Sequence, residues 1–518
     1  MRHALSEIHQ ANSERKGQVT LQILIFTVLS AIVLGGLALW ANVFLEISLR
    51  VHHRQLAFNI AEAGIEYYRW HLAHAPQDYQ DGTGGPDQGP GATYGPFEHN
   101  YYDKEGNKIG TFTLYITAPP VGSTVVKIRS IGKIDADSAI QKIIEVKMGI
   151  ASLAKYVVVA NDVMRFGEGT EVFGEIHSNK GIRFDGLAHN LVKSAVAQYD
   201  DPDHSGPEEF GVHTHVAPVD PYPPNPVPSR TDVFEAGREF PVPAIDFEGI
   251  TATLASLKTQ AQGGGVYLGK SGKKGYHIVL KTDGTFDVYK VKHTTKPPKK
   301  CKNELHQDKW GTWSIQQPGG GGGGGGEGGE GEGHEGHGEG EQFLQNYSFP
   351  ANGIVFVEDN VWVDGQLSNA RLTIASARFP YDPKKVTHIT VNHNLTYASY
   401  DGSAVLGLIA QGNINVGMES DDVLRIDAAV VAQNGRVGRY YYAPPSGNKQ
   451  KCSPYHARTK ITLYGMLVTN RRYGFSYTDG TGYATRELIY DSHLLYNPPP
   501  GFPLAGNEYT QLSWDEVQ

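Results

Sequence analysis

Histidine and carboxylate residues recur between residues 200 and 215. His213 and His215 stand two positions apart, so a strand would place both imidazoles on one side, and Asp203 and His204 precede them. Imidazole and carboxylate together form a ligand set for zinc and related divalent cations. The stretch is also acidic and rich in proline, which is typical of an extended surface loop. We favour the surface loop and assign no metal site.

The catalytic motifs GxSxG, HExxH and CxxC do not occur in the chain. Each of these motifs holds reacting groups or metal ligands at the spacing that its chemistry needs. Acidic pairs such as Asp421 and Asp422 are present, as in any large β protein. We therefore predict no catalytic residues, no cofactor and no enzyme activity.

The elements that must position these residues begin with an apolar stretch, residues 23–45, that has no charged side chain. As a helix it would span roughly 35 Å, enough to cross a bilayer core of about 30 Å. Arg15 and Lys16 precede it, and the positive-inside rule then places the N-terminus in the cytoplasm. Arg50 and Arg54 follow the stretch and weaken this bias. We predict a single-pass membrane protein with an extracytoplasmic body, located in the cell membrane or at the cell surface.

Lys16 and Gly17, directly before the apolar stretch, resemble the class III leader of type IV pilins and pseudopilins. The resemblance implies that a prepilin peptidase cuts between Gly17 and Gln18 and that the new N-terminus is methylated. The family usually has Phe as the first mature residue and Glu as the fifth, where this chain has Gln18 and Gln22. This departure fits a minor or priming subunit better than a major one.

Ala61, Glu62, Ala63 and Gly64 are similar to the AEAG segment that follows the membrane helix in PilX-like minor pilins. Ala57, Ala61 and Gly64 also recur at helical spacing, and small residues at this spacing leave a groove on the helix. Another helix could fit into that groove, or the groove could pack on the body of the same chain. Both interpretations stay open at the level of the sequence.

The chain divides into segments that differ in composition and in hydrophobic pattern. The predicted fold class is α+β and mostly β. A long pilin-like helix should end before Pro76, and three or four antiparallel strands should pack on its second half. The predicted segments are a leader (1–17), a transmembrane and pilin-like helix (18–75), an α+β pilin-like head (76–150), the start of a β-helix-like domain (151–187), an insertion with Pro-rich and Gly/Glu-rich loops (188–349), and the remainder of the β-helix-like domain with a Tyr-rich tail (350–518).

Short strands separated by Gly, Asn and Asp return every seven to ten residues or so after residue 151 and again after residue 349. This close spacing favours a β-helix, in which each side contributes one strand and each corner one turn. A β-sandwich is the main alternative.

The chain has two cysteines, Cys301 and Cys452. An extracytoplasmic body would allow them to form one disulfide, because oxidising compartments preserve such bonds. Two unpaired thiols remain the alternative, because nothing in the sequence places the two residues together.

The net charge is −9 and no basic domain or stripe is present, so we predict no nucleic-acid partner. The resemblance implies a membrane-anchored minor pilin-like subunit of a type IV pilus or related filament. Its partners would be the membrane, other pilin-like subunits, the prepilin peptidase and a surface or glycan ligand reached by adhesion. The alternatives are a bitopic surface protein that does not polymerise and a tethered polysaccharide-degrading β-helix.

Overall fold

The structure, a computed structural model, describes residues 2–247, 249–317 and 340–517. The predicted Gly/Glu-rich run falls largely on residues 318–339, which lie outside the described residues. Two α-helices are present in the described part, α1 (Arg2–His74) and α2 (Gly249–Gly264), with two single-turn 3-10 helices, Leu153–Lys155 and Ser492–Leu494.

The remainder is β structure. In chain order its strands are β1 (Thr93–Tyr102), β2 (Lys108–Thr117), β3 (Val125–Ile134), β4 (Gln141–Ser152), β5 (Val158–Ala160), β6 (Met164–Phe166), β7 (Thr170–Phe173), β8 (Ile176–Ser178), β9 (Ile182–Phe184), β10 (Leu187–Ala188), β11 (Val192–Ser194), β12 (Gln198–Tyr199), β13 (Glu209–Phe210), β14 (Val212–His213), β15 (Arg238–Glu239), β16 (Val266–Leu268), β17 (Gly275–Leu280), β18 (Thr285–Val291), β19 (Glu341–Ser348), β20 (Ile354–Val357), β21 (Val361–Leu367), β22 (Arg371–Ser376), β23 (Ile389–Thr390), β24 (Leu395–Tyr397), β25 (Val405–Ala410), β26 (Ile414–Val416), β27 (Val423–Ala432), β28 (Val437–Arg439), β29 (Ala457–Thr469), β30 (Gly482–Tyr490) and β31 (Leu504–Val517).

Helix α1 is continuous through the apolar stretch and ends at His74, as the position of Pro76 predicts. Proline cannot continue a helix, because it lacks the backbone N–H and its ring collides with the preceding turn. The second half of α1 packs on an antiparallel sheet of order β1–β2–β3–β4–β31. In β3 the alternation is regular, so that Val126, Ile128 and Ile134 are buried while charged residues point outward.

Strand β31 is the element whose position differs from the predicted division of the chain. The sequence suggested a tail that continues the C-terminal β region, but β31 pairs antiparallel with β4 in the first sheet. Tyr509 donates a hydrogen bond of 2.9 Å from its Oη to the carbonyl oxygen of Pro76, just past the end of α1. The C-terminus therefore belongs to the sheet that packs on α1, because β4 would otherwise present an unpaired edge.

Most of the large β region belongs to three parallel ladders, and β18 and β19 extend β17 as antiparallel strands. The first has the order β16–β20–β22–β25–β27–β29–β5–β8–β11–β15, and the second runs through β17, β21, β23, β26 and β28, with β6, β9 and β14 in a separate parallel group. The third includes β24, β27, β29, β30, β7 and β10. The parallel pairing differs from the antiparallel sheets of a β-sandwich. One buried column of paired residues follows the first ladder: Val355, Ile374, Leu408, Val430, Leu467, Val158, Ile176 and Val192.

The chain does not fill these ladders from one end to the other. It enters at β5, in the middle of the first ladder, and continues through β8 and β11 to β15 at one end. Helix α2 then leads to β16 at the opposite end, and the strands from β20 onward return to β29, which pairs with β5. Leu254, Leu257 and Ala261 of α2 pack on the outward-facing apolar residues of the first ladder.

Candidate functional site

The first half of α1 exposes its apolar side chains. Twenty large apolar side chains between Val19 and Val51 are exposed, each with about half or more of its surface. They include Leu24, Phe26, Leu34 and Trp40. In the part of the chain that the structure describes, α1 is the one helix long and apolar enough to cross a membrane, by length and composition. This half of α1 is therefore suited to a single-pass membrane anchor.

The second half of α1 uses its small residues to approach the sheet. Ala57, Ala61 and Gly64 are all buried against the strands. A Cβ on Gly64 would lie 2.9 Å from Cδ2 of Phe112, and Gly132 in β3 approaches the backbone of Ala57 and Ala61. The groove that the sequence left open to a second helix is therefore occupied by the sheet of the same chain.

The other predicted residues of α1 lie elsewhere on the helix. Glu62 is exposed and Ala63 is half-buried, so neither is at the centre of the helix–sheet contact. Gln18 and Gln22 are exposed in the apolar half. Lys16 and Gly17 are described at the level of the backbone, within α1. The four predicted processing residues, Lys16, Gly17, Gln18 and Gln22, therefore lie on consecutive turns of one helix.

Cys301 and Cys452, which are 151 positions apart in the sequence, are joined by a disulfide. The bond lies in a small apolar cluster with Met418, Tyr440 and Tyr442. It connects the segment after β18 to the loop between β28 and β29, and no sequence pattern near either cysteine indicates this pairing.

A cleft of about 1250 Å³ opens beside the second ladder and carries an excess of positive charge. Its walls hold three carboxylates, those of Glu168, Asp203 and Asp308, against a larger number of cationic side chains. The cations are Arg165, Lys309, Lys384, Arg436, Arg471, Arg472 and Arg486.

The cations of the cleft differ in how far they are already engaged. Arg472 donates a hydrogen bond of 3.0 Å from Nη1 to Oδ1 of Asp203, and burial lowers the pKa of Arg486, whose guanidinium donates to main-chain carbonyl oxygens. Lys384 and Arg471 are exposed. These two side chains have no ion pair among the described residues, so they are the cations best placed to meet an anionic ligand.

Most of the tyrosines that stand out in the C-terminal sequence are structural. Tyr397, Tyr440, Tyr442 and Tyr483 are nearly or fully buried. Tyr400 is the exposed exception, with its ring 5.1 Å from the guanidinium carbon of Arg425. The tyrosine pattern therefore indicates core packing more than a binding surface.

The structure overturns the surface-loop interpretation of His213. This side chain is fully buried, and Asp201, His213 and His215 have ligand atoms within 4.8 Å of one another. Asp203 and His204 lie at the edge of this group, where Asp203 pairs with Arg472. The sequence analysis did not group Asp201 with the two histidines, although their proximity in one short segment is a signal that could have indicated it.

Residues 264–271, GGVYLGKS, have the spacing GxxxxGK[ST] of a phosphate-binding loop, and a motif search of the sequence would find this match. Such a loop must follow a strand and open a helix. Here β16 runs through the motif, and the next element is β17 rather than a helix. Ser271 donates from Oγ to Asp359 at 2.7 Å, so the segment has the structure of a ladder strand and its turn.

Comparison with known proteins gives little. No family model matches the chain, and no curated protein matches it. Among solved structures, the competence-associated pilin ComZ from Thermus thermophilus is similar to this chain at 12% sequence identity, over 90% of this chain and 98% of that chain. The TM-score is 0.28, which is too low to carry an argument about fold or function.

Proposed function

We propose that this protein is a membrane-anchored, minor pilin-like subunit of a type IV pilus or a related filament. In this proposal the first sheet with the second half of α1 is a pilin-like head, and the parallel ladders form a β-helix that the head displays outside the cell. The subunit is inserted among other pilin-like subunits after a prepilin peptidase has removed residues 1–17.

The observation that carries the proposal is the division of α1 into two halves. The apolar half exposes residues such as Leu34 and Trp40, whereas Ala57, Ile60 and Ala61 are fully buried on the sheet. A soluble protein rarely exposes so long an apolar surface, because covering it would release free energy in proportion to its area. A helix anchored in lipid at one end and in its own head at the other accounts for both halves.

Two features support an extracytoplasmic body. Disulfides persist in oxidising compartments, and Cys301 is bonded to Cys452. Arg15 and Lys16 on the other side of the apolar stretch favour a cytoplasmic N-terminus.

The test is the mature N-terminus, determined by intact-protein mass spectrometry of the membrane fraction and of the fraction sheared from the cell surface. We expect a chain that begins at Gln18, with a methylated amine, in both fractions. The variant Gly17→Leu should retain the leader and be absent from the sheared fraction. Gly36→Ala is the matched control, because a Cβ there meets nothing within 4 Å, and it should be processed like the wild type.

A wild-type chain that keeps Lys16 and Gly17 and remains in the membrane would contradict the pilin proposal. The same result would support the alternative of a bitopic surface protein that does not polymerise. Loss of processing in Gly36→Ala as well as in Gly17→Leu would indicate general damage to the helix, and the Gly17 result would then lose its meaning.

We further propose that the basic cleft is the contact site for a surface ligand, and that this ligand is an acidic polysaccharide. Exposed Lys384 and Arg471 offer charge without an ion pair to any residue that the structure describes, and the lining is polar. Carboxylated sugars complement such a lining through hydrogen bonds in which the donor and the acceptor are both charged, and neutral sugars cannot form bonds of this kind. We propose binding and no turnover at this cleft.

A further inference from the structure

A group of buried polar side chains lies where the loop after β12 returns to the ladders. Strand β14 ends at His213 and pairs in parallel with β9, opposite Arg183. Asp201 follows β12, and His215 follows β14. The parallel ladder thus fixes one histidine, and the loop brings the carboxylate and the second histidine to it.

The buried atoms of this group lack the partners that burial normally requires. His213 is 0% exposed, and neither its Nδ1 nor its Nε2 has a hydrogen-bond partner among the described residues. Oδ2 of Asp201, a residue 3% exposed, also has none. The separation between Nε2 of His213 and Oδ2 of Asp201 is 3.6 Å, longer than a hydrogen bond. A buried polar atom without a hydrogen-bond partner destabilises the fold, so three such atoms at one place need an explanation.

The arrangement has the dimensions of a metal site. The ligand atoms of Asp201, His213 and His215 lie within 4.8 Å of one another. Tetrahedral zinc, with bonds of about 2.0–2.1 Å, holds its ligand atoms about 3.3 Å apart. The pair formed by His213 and Asp201 is already close to that separation, so movements of roughly 1 Å would complete the set.

The surroundings support the same chemistry. Glu209, which is 2% exposed, lies 3.3 Å from Nε2 of His215, and such carboxylates orient the imidazoles that bind metals. Arg183 lies 3.7 Å from Oδ2 of Asp201, but its Nε donates to Asp185 at 2.7 Å. Arg183 can therefore balance the negative charge of Asp201, but it gives no hydrogen-bond partner to either ring nitrogen of His213.

We propose that Asp201, His213 and His215 bind one divalent transition-metal cation, with zinc as the best fit to two imidazoles and a carboxylate. The ion joins the proline-rich loop to the end of the ladders and satisfies the buried nitrogen and oxygen atoms. Because Asp201 and His213 are buried, the role is structural. The proposal is independent of the pilin assignment, because it rests on residues far from α1 in the sequence.

The test uses the full chain in detergent, stripped by a chelator and then equilibrated with Zn²⁺ alone. Metal content per chain is measured by mass spectrometry of the metal after removal of free ion. We expect one tightly held zinc in the wild type, and a loss of affinity of about 100-fold or more in His215→Gln and in Asp201→Asn. Co²⁺ in place of zinc should give the visible absorption of a tetrahedral site in the wild type and not in the variants.

The control changes histidines outside the proposed site, because the chain has 21 histidines and imidazole is a common metal ligand. The double variant His334→Asn/His337→Asn changes two histidines of the Gly/Glu-rich run, and it should retain the ion and the Co²⁺ absorption. A wild-type chain without bound zinc would overturn the proposal, and so would equal retention of zinc in His215→Gln. Loss of the ion in the double variant would overturn it too, by placing the metal elsewhere. If one variant fails to fold, the wild-type stoichiometry and the Co²⁺ spectrum still decide.

Discussion

At the scale of single residues, His277 shows how a buried charge is stabilised in the ladder region. Its Nδ1 lies 2.9 Å from Oε2 of Glu341 and its Nε2 lies 2.9 Å from Oδ2 of Asp364. Burial by itself lowers the pKa of His277, but the hydrogen bonds to the two carboxylates outweigh it and raise the pKa to about 9. The protonated imidazole therefore fastens β17 to β19 and to β21.

This pKa predicts how stability depends on pH. The ordinary value is 6.5, so the folded state binds a proton more tightly than the unfolded state. The stabilisation from His277 is complete below about pH 6.5 and is lost as the pH rises through about 9. We expect His277→Gln to lower the free energy of unfolding by about 3 kcal/mol near pH 6 and by much less near pH 10, measured by urea denaturation.

The control for this experiment is His306→Asn. His306 is exposed and has a φ of 51°, a conformation that asparagine adopts readily. The difference between His306→Asn and the wild type should stay constant with pH. A His277→Gln penalty that is equally constant with pH would show that the ion pairs do not stabilise the fold as we argue.

At the scale of elements, the contact between α1 and β3 depends on the absence of side chains. A Cβ on Gly132 would overlap the carbonyl oxygen of Ala57 and the backbone nitrogen of Ala61. Both obstacles are backbone atoms of a helix, so they cannot rotate away as the end of a side chain could. The close approach also places Ile60 and Ile65 in the core of the first sheet.

We therefore expect Gly132→Ala to lift α1 from the sheet and to cost about 1–3 kcal/mol, as overpacking of a tight core does. Urea denaturation followed by tryptophan fluorescence measures the loss, and limited proteolysis at Arg69 should become faster. The matched control is Gly263→Ala in α2, where a Cβ meets nothing within 4 Å. A Gly132→Ala variant as stable as Gly263→Ala would contradict the tight helix–sheet contact.

At the scale of the whole molecule, charge is distributed unevenly. The chain carries a net charge of −9, yet one cleft of about 1250 Å³ is lined by an excess of Arg and Lys. The overall negative charge disfavours long polyanions such as DNA, whereas a short segment of the proposed acidic polysaccharide would contact the cleft alone. Attraction of this kind weakens as salt screens the exposed charges.

We expect the full chain to bind a carboxylated polysaccharide, and not a neutral one, with an affinity that falls as the salt concentration rises. Lys384→Glu/Arg471→Glu should weaken binding about ten-fold, since two exposed charge changes of about 0.7 kcal/mol each amount to one decade. Lys104→Glu/Lys273→Glu changes the same charge at exposed sites outside the cleft and should bind like the wild type. Microscale thermophoresis measures these affinities.

Equal binding by both double variants would remove the cleft as the ligand site. Tighter binding of duplex DNA than of any polysaccharide would replace the proposed ligand class. Sustained release of sugar products from the polysaccharide would instead support the tethered-enzyme alternative.

Local sequence determined the parts of the structure that depend on near neighbours. The apolar stretch needs no partner to become a helix in lipid, and Pro76 stops that helix, which ends two residues earlier at His74. Alternation in β3 likewise defines which side faces α1, because the side-chain period of a strand is two. These features could be read from the sequence because steric and hydrogen-bonding rules act within a few residues.

The tertiary structure alone decided which distant segments meet. It brought β31 back to β4, placed β5 in the middle of the first ladder, paired Cys301 with Cys452, and buried His213 beside Asp201. Short apolar strands with similar patterns can stack in many orders, and the sequence of one strand does not say which neighbour it prefers. The order is set by the summed burial and backbone pairing of all ladders together, which no local window of the sequence contains.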